Sequence, residues 1–447
     1  MKTVLVANRG EIAVRVIRAC HALGLRAVAV YSEADRGALH TRLADRAVCI
    51  GPAPATRSYL SAAALLATAR GTGADAIHPG YGFLAENADF AAACVEAGLT
   101  FVGPSAEAIR VMGDKVHARE RAAALGVPTV PGSRAPVDDP AQAETVGRDV
   151  GYPLLLKAAA GGGGRGMRVV RAAAEMAAAF TAARTEAEAA FADGRLYVER
   201  FLERVRHVEI QMLADRFGAA VQLGERDCSV QRRHQKLLEE APSPAMTPAL
   251  RAAMGEAALT LARDIKYEGA GTVEFVLEEG ASRFAFIEMN TRIQVEHPVT
   301  EMVTGVDLVA AQLRLAAGER LPVVQRDVTM AGHALECRIN AEDPDAGFRP
   351  SPGTIERWSP PEGEGLRVDT HIEAGAVVPP FYDSLLAKVV AHGRDRESAI
   401  ARMAEALGRF DVDGVATTLP LHRRILAHPD FVAGRIHTRW AEDELGR

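Results

Sequence analysis

The chain has 447 residues, 48% of them apolar and 25% charged, with 52 basic against 58 acidic side chains for a formal net charge of −6. That length exceeds one ordinary core, so two or three domains are expected, and the absence of a basic excess argues against a nucleic-acid binder. No apolar run approaches the roughly 20 residues that a membrane helix needs, so no membrane association is expected.

Five cysteines (Cys20, Cys49, Cys94, Cys228 and Cys337) are scattered without a CxxC, which disfavours a disulfide framework or a cysteine-rich zinc site. The N-terminus reaches Asn8 and Arg9 after a short apolar run, unlike a signal or transit peptide, so a cytoplasmic enzyme is expected. Only six basic residues are lysine (Lys2, Lys115, Lys157, Lys236, Lys266 and Lys388), the other 46 being arginine. A lysine that persists against such a bias is a candidate for work that needs a compact ammonium.

In chain order, Val4–Ala7 reads as a buried strand, and Ile12, Val16, Ile17, Cys20 and Leu23 then recur at helical spacing up to Gly24. Strand signals follow at Ala27–Ser32, Ala76–Phe83 and Thr100–Gly103, a βαβ series that predicts a parallel sheet. Asn8–Glu11 stands where a dinucleotide fold would carry GxGxxG, which demotes that reading. From Gly126 the chain is punctuated by Pro and Gly, a candidate domain boundary. Tyr152–Val170 reads as strand, glycine loop, strand; Ala172–Ala190 as a helix; Leu196–Leu202 as a strand, together a small α+β subdomain. Arg206–Leu213, Ala219–Asp227, Thr272–Gly280 and Arg283–Asn290 predict mostly antiparallel strands, and from about Gly332 short strands alternate with turns.

Four consecutive glycines, Gly161, Gly162, Gly163 and Gly164, follow a strand ending in Lys157. Backbone N–H groups freed of Cβ atoms can converge on phosphate oxygens, with the lysine reaching the same group. In the hairpin 272–290, a turn near Gly280–Ala281 places Glu274 opposite Glu288. Two opposed carboxylates repel unless a cation lies between them, and Mg²⁺ favours such acids together with phosphate oxygens. Beyond them, Glu288, Asn290, Arg292, Gln294 and Glu296 alternate along an extended chain, a polar row suited to a metal–phosphate site that runs into a small-anion pocket. His207, Glu209 and Gln211 share a face in the same way, whereas His297, before Pro298, reads as structural.

Together these segments resemble the biotin carboxylase family of the ATP-grasp superfamily. The resemblance is carried by ANRGEIA (7–13), HPGYGFLAEN (78–87), MGDK (112–115), KAAAGGGGRGM (157–167), RHVEIQ (206–211), GERDCSVQRRHQK (224–236), EMNTRIQVEHPVTE (288–301), ECRINAEDP (336–344) and YDSLLAK (382–388), in the family's order. It implies a multidomain α/β and α+β fold: a Rossmann-like N-terminal domain over 1–113, an ATP-grasp domain over 114–330 with a mobile lid at about 131–203, and a C-terminal domain over 331–447. By the same resemblance ATP lies at Lys115, Lys157 and the glycine loop, with Glu199, Leu202, His207, Gln231 and His234 around adenine and ribose. Glu274, Glu288 and Asn290 are the implied ligands of Mg²⁺ or Mn²⁺. Bicarbonate falls to Lys236, Arg292, Gln294, Val295 and Glu296, with Glu296 as base, and biotin to Arg338 and Tyr81.

The implied reaction is the first half-reaction of an acetyl-CoA or other acyl-CoA carboxylase, with a biotin carboxyl carrier protein and carboxyltransferase subunits as partners and a homodimer as the usual assembly. Rival readings are another ATP-grasp carboxylate–amine ligase and a non-catalytic nucleotide sensor. RIQVEHP and ECRIN favour bicarbonate and biotin over the first, and the complete acidic set argues against the second. Only Lys2 has a methionine neighbour, and the chain ends soon after the last family-like segment, so this polypeptide is expected to take biotin from a separate carrier and not to be biotinylated itself.

Overall fold

A computed structural model describes residues 1–159, 166–278, 280 and 283–445. The glycines Gly161–Gly164 lie outside the described residues. Strands β1 (Thr3–Val6), β2 (Arg26–Ser32), β3 (Arg46–Gly51), β4 (Ala76–His78) and β5 (Thr100–Phe101) form a parallel sheet of order β3-β2-β1-β4-β5. β1 is buried at all four positions, as a strand covered on both faces must be. Helix α1 (Gly10–Ala22) packs Ile12, Val16, Ile17 and Cys20 into that core. Strand order reverses about β1, and the loops after β1 and β4 meet there: Asn8 Nδ2 donates to the carbonyls of Pro79 at 2.7 Å and Tyr81 at 2.8 Å. In open parallel sheets such a crevice is where ligands bind.

The subdomain expected around the glycine loop is a three-stranded antiparallel sheet, β6 (Leu154–Ala158), β7 (Arg168–Val170) and β8 (Leu196–Arg200), in the order β7-β6-β8. Helix α2 (Met176–Phe191) covers it with Met176, Phe180, Ala183 and Ala187. That helix starts four residues later than its composition suggests, because Ala173–Glu175 form a separate 3₁₀ turn.

The largest sheet is antiparallel throughout and joins β9 (Val205–Ala214), β10 (Ala220–Arg232), β11 (Gln235–Ala241), β12 (Gly269–Glu278), β13 (Phe284–Asn290), β14 (His333–Asn340), β15 (Leu366–Thr370) and β16 (Leu385–Gly393). Its order is β13-β12-β9-β10-β11-β14-β16-β15, so its strands come from both sides of residue 330. β10 outruns the expected Ala219–Asp227 by five residues. Glu225, Arg226, Asp227 and Gln231 are buried polar side chains and its two ladders shift register at three places, so no clean alternation marks the strand in sequence. No described helix is long and apolar enough to cross a membrane.

Candidate active site

One cavity of about 940 Å³ lies between the parallel sheet, the small sheet and the large one. Tyr81, Lys115, Lys157, Glu199, Leu202, His207, Gln231, His234, Lys236, Glu274, Glu288, Asn290, Arg292, Gln294, Val295, Glu296 and Arg338 all line it. Every described residue that the resemblance assigns to ATP, metal, bicarbonate or biotin therefore lines one cavity.

At one end, Val130, Leu155, Phe201, Leu202 and Ile287 supply apolar walls that suit a planar base. Lys157 on β6 reaches Glu199 on β8 at 2.6 Å, and Arg119 holds the other carboxylate oxygen at 2.9 Å. Gln231 and His234 arrive on the β10–β11 hairpin, whose turn residues Arg233 and His234 have φ of 47° and 64°. Two successive left-handed residues make the tight turn that matches strand twist, though neither is glycine. The Glu442 side chain anchors that turn, accepting from the Arg233 N–H at 2.7 Å.

The opposed carboxylates are present as expected: Glu274 pairs with Glu288 across β12 and β13, beside a register shift. Lys115 Nζ sits 2.6 Å from Glu288, while Glu274 takes contacts from Lys236 at 3.1 Å, His207 at 3.1 Å and Asn290 Nδ2 at 2.9 Å. Burial alone would raise the Glu274 carboxyl, but Lys236 and His207 outweigh it and hold the group well below the usual carboxylate range. Glu274, Glu288 and Asn290 offer oxygen atoms on adjacent strands, the donor chemistry of Mg²⁺. Two nearby clusters, His207–Glu209–Glu274 and Glu209–Cys228–Glu296, also bring possible ligand atoms within 4.8 Å of one another. The Lys236 ammonium already stands among them, 2.6 Å from both Glu209 and Glu296, so a second cation there would meet a fixed positive charge. The oxygens of Glu274, Glu288 and Asn290 suit a divalent ion by chemistry, and they too carry cations here, Lys236 on Glu274, Lys115 on Glu288 and Arg292 on Asn290.

Of the row of residues 288–296 only Glu288 and Asn290 lie on a strand; the chain bends at Arg292, where Thr291 and Ile293 on either side are buried. It then turns, because Glu296 is the N-cap residue of helix α3 (His297–Thr304) and Pro298 opens that helix. Arg292 is held by Glu86 at 2.8 Å and by Asn290 Oδ1 at 2.8 Å. His297 is wholly buried, its Nδ1 lying 2.7 Å from the Gln294 carbonyl oxygen, and burial keeps it neutral.

Glu296 is shared. One oxygen meets Lys236 at 2.6 Å and the other meets Arg338 at 2.8 Å. Burial favours its neutral form, yet Lys236, Arg338 and Arg226 together keep it below the ordinary carboxylate range, so it is ionised at neutral pH. Arg338 also binds Glu239, whose carboxyl is pushed up to about 7 by burial and the neighbouring Glu296 against the pull of Arg338. Tyr81 donates its hydroxyl to Glu11.

Sequence reasoning passed over Arg226, Glu86, Arg119 and Glu239. Arg226 is the hub: fully buried, it donates to Glu209, Gln211, Thr272, Gln294 and Thr300. It lies inside the polar cluster 225–236, but nothing in that cluster singles it out from its arginine neighbours. Glu86 and Arg119 act from other segments, and their contacts exist only after folding.

Family models match in the same order as these elements: Biotin carboxylase, N-terminal domain, over residues 1–109; Carbamoyl-phosphate synthase L chain, ATP binding domain, over 114–324; and Biotin carboxylase C-terminal domain, over 336–443. The chain is 54% identical over 447 residues to a biotin carboxylase of Pseudomonas aeruginosa, covering 100% of this chain and 99% of the relative. It is 52% identical over 442 residues to biotin carboxylase 1 of Bacillus subtilis, covering 99% and 98%. Among solved structures, the biotin carboxylase domain dimer of Hydrogenobacter thermophilus 2-oxoglutarate carboxylase, in complex with MgADP, ADP and bicarbonate, superposes with a TM-score of 0.96 at 49% identity, covering 99% and 98%. A Campylobacter jejuni biotin carboxylase in complex with β-γ-ATP gives 0.97 at 44%, covering 99% of each chain. Half identity along the whole length, with all three segments in register, makes this chain a member of the biotin carboxylase family.

Proposed function

We propose that this enzyme carboxylates biotin with bicarbonate at the expense of ATP, through carboxyphosphate. The observation that carries the reading is Glu296, one ionised carboxylate bridged between Lys236 and Arg338. It stands between the polar row where a small anion fits and the strand residue that faces the remaining space. Lys115 and Lys157 hold the triphosphate, and Glu199, Leu202, His207, Gln231 and His234 surround adenine and ribose. Lys236, Arg292, Gln294 and Val295 hold bicarbonate.

Glu296 takes the bicarbonate proton as its oxygen attacks the γ-phosphorus and the bond to ADP breaks. A divalent ion at Glu274, Glu288 and Asn290, Mg²⁺ or Mn²⁺, supplies charge neutralisation on the transferring phosphoryl group when bound. Carboxyphosphate then breaks down to CO₂ and phosphate, the phosphate takes the biotin N1′ proton, and Arg338, fully charged beside Glu239 and Glu296, stabilises the ureido oxyanion. Tyr81 lies at the same end of the cavity.

Biotin arrives on a separate carrier protein, carboxyltransferase subunits use the product, and the enzyme works as a cytoplasmic homodimer. The dimeric state of the Hydrogenobacter domain supports the last point. ATP hydrolysis that needs bicarbonate and rises with free biotin tests the reading. Hydrolysis that depends instead on an organic acid and an amine would favour the ligase alternative.

A further inference from the structure

Lys388 is a lysine to which neither sequence nor the proposed chemistry gives a task. It is 0% exposed on β16, between Arg338 of β14 and Asp369 of β15 in the ladder. Its ammonium donates to the Val295 carbonyl oxygen at 3.0 Å and lies 3.1 Å from Glu11 and 3.8 Å from Asp369. Burying an ammonium is costly unless it is paired and hydrogen-bonded, and its neighbour on the same face of the strand, Val390, is a buried apolar side chain. A cation is kept where an apolar side chain would fill the layer.

The Val295 carbonyl shares a rigid planar peptide with the Glu296 N–H, so fixing that oxygen fixes the N–H and the approach to the Glu296 Cα. The preceding peptide is fixed as well, through His297 Nδ1 at the Gln294 oxygen. The turn that delivers Glu296 is thus pinned from beneath at two successive peptides. Glu11 comes from α1 and Asp369 from β15, so the pin also ties this turn to the first and last thirds of the chain.

We infer that Lys388 is a positioning residue that holds the Val295–Glu296 peptide in place for the bicarbonate subsite. The inference rests on the bicarbonate reading above. Steady-state kinetics of Lys388→Met, with bicarbonate and ATP varied separately, test it: KM for bicarbonate rises about tenfold or more while KM for ATP stays within twofold. Because Lys388→Met leaves the buried Glu11 without its cation while Asp369 keeps Arg367, the double variant Lys388→Met/Glu11→Gln removes one buried charge of each sign, and it shows the same split. A wild-type bicarbonate KM in either folded variant, or equal rises in both KM values, overturns the inference. Wild-type ATP hydrolysis without bicarbonate dependence overturns the functional reading itself, and the inference with it.

Discussion

Glu296 and Glu288 are both acids in one cavity, and their partners separate their tasks. Glu296 is ringed by Lys236, Arg338 and Arg226, which keep it ionised and able to accept a proton. Glu296→Gln therefore retains ATP binding, measured by nucleotide titration, and loses turnover by about 10²–10⁴-fold. Unaltered turnover in that variant would remove Glu296 from the role. Glu288 has Lys115 as its contact and faces Glu274 on the next strand. Glu288→Gln strips one charge from the oxygen set and raises the Mg²⁺ concentration for half-maximal ATP turnover, on the order of tenfold. An unchanged Mg²⁺ dependence with intact turnover would remove it from the metal site.

At the scale of elements, the nucleotide end depends on how the segment 131–133 lies against β8. Gly132 bridges to Glu199, and a Cβ added there would stand 2.2 Å from the Val198 carbonyl oxygen. That neighbour is backbone, paired in turn to Leu156 of β6, and has no side-chain freedom with which to give way. Gly132→Ala must shift β8, and Glu199 with it, away from Lys157 and Arg119. The expected result is a several-fold rise in KM for ATP and a loss of about 1–3 kcal/mol of stability, read by urea unfolding. An alanine enzyme with native KM and stability would show that the contact of Gly132 with β8 is looser than this packing implies.

For the whole molecule, acid is the vulnerable direction. His40, His78 and His422 are all buried, and burial pushes them down, to about 4, about 3 and about 4. From pH 6.5 downward the unfolded chain binds protons that the folded one refuses, so each such histidine removes about 1.4 kcal/mol of stability per pH unit. Glu239 works oppositely: its raised value keeps a proton in the fold between about 4.5 and about 7, so its contribution improves as pH falls. His234, His297 and His371 are lowered too, and Glu11, Glu336 and His207 are raised like Glu239, so the lowered histidines are the larger set. The urea midpoint is expected to fall between pH 7 and pH 5, and a midpoint that holds or rises would show that these imidazoles are not kept neutral.

Several features were decided by local sequence. The alternating apolar strands and helical spacing of residues 4–103 specify a parallel sheet because each element buries a face set by its own periodicity. In the hairpin 272–290 the inner register of Leu277–Phe284, Val276–Ala285 and Phe275–Phe286 would bring Ile287 opposite Glu274, and it is the irregularity between Phe275 and Glu274, not the turn, that puts Glu288 there. The motifs named the cavity's residues because each motif is one contiguous run of sequence, whether its residue ends a strand, as Asn290 does, or lies mid-strand, as Glu274 and Arg338 do. Folding alone decided which cation stands between which acids. Lys236 comes from β11, Glu274 from β12, Glu296 from the turn before α3 and Arg338 from β14, and no local spacing relates them. Arg226 and Lys388 were illegible for the same reason. A charged residue inside a buried strand has meaning only through the carboxylates and carbonyls that distant segments bring to it, and those partners are set by long-range packing, not by neighbours in the chain.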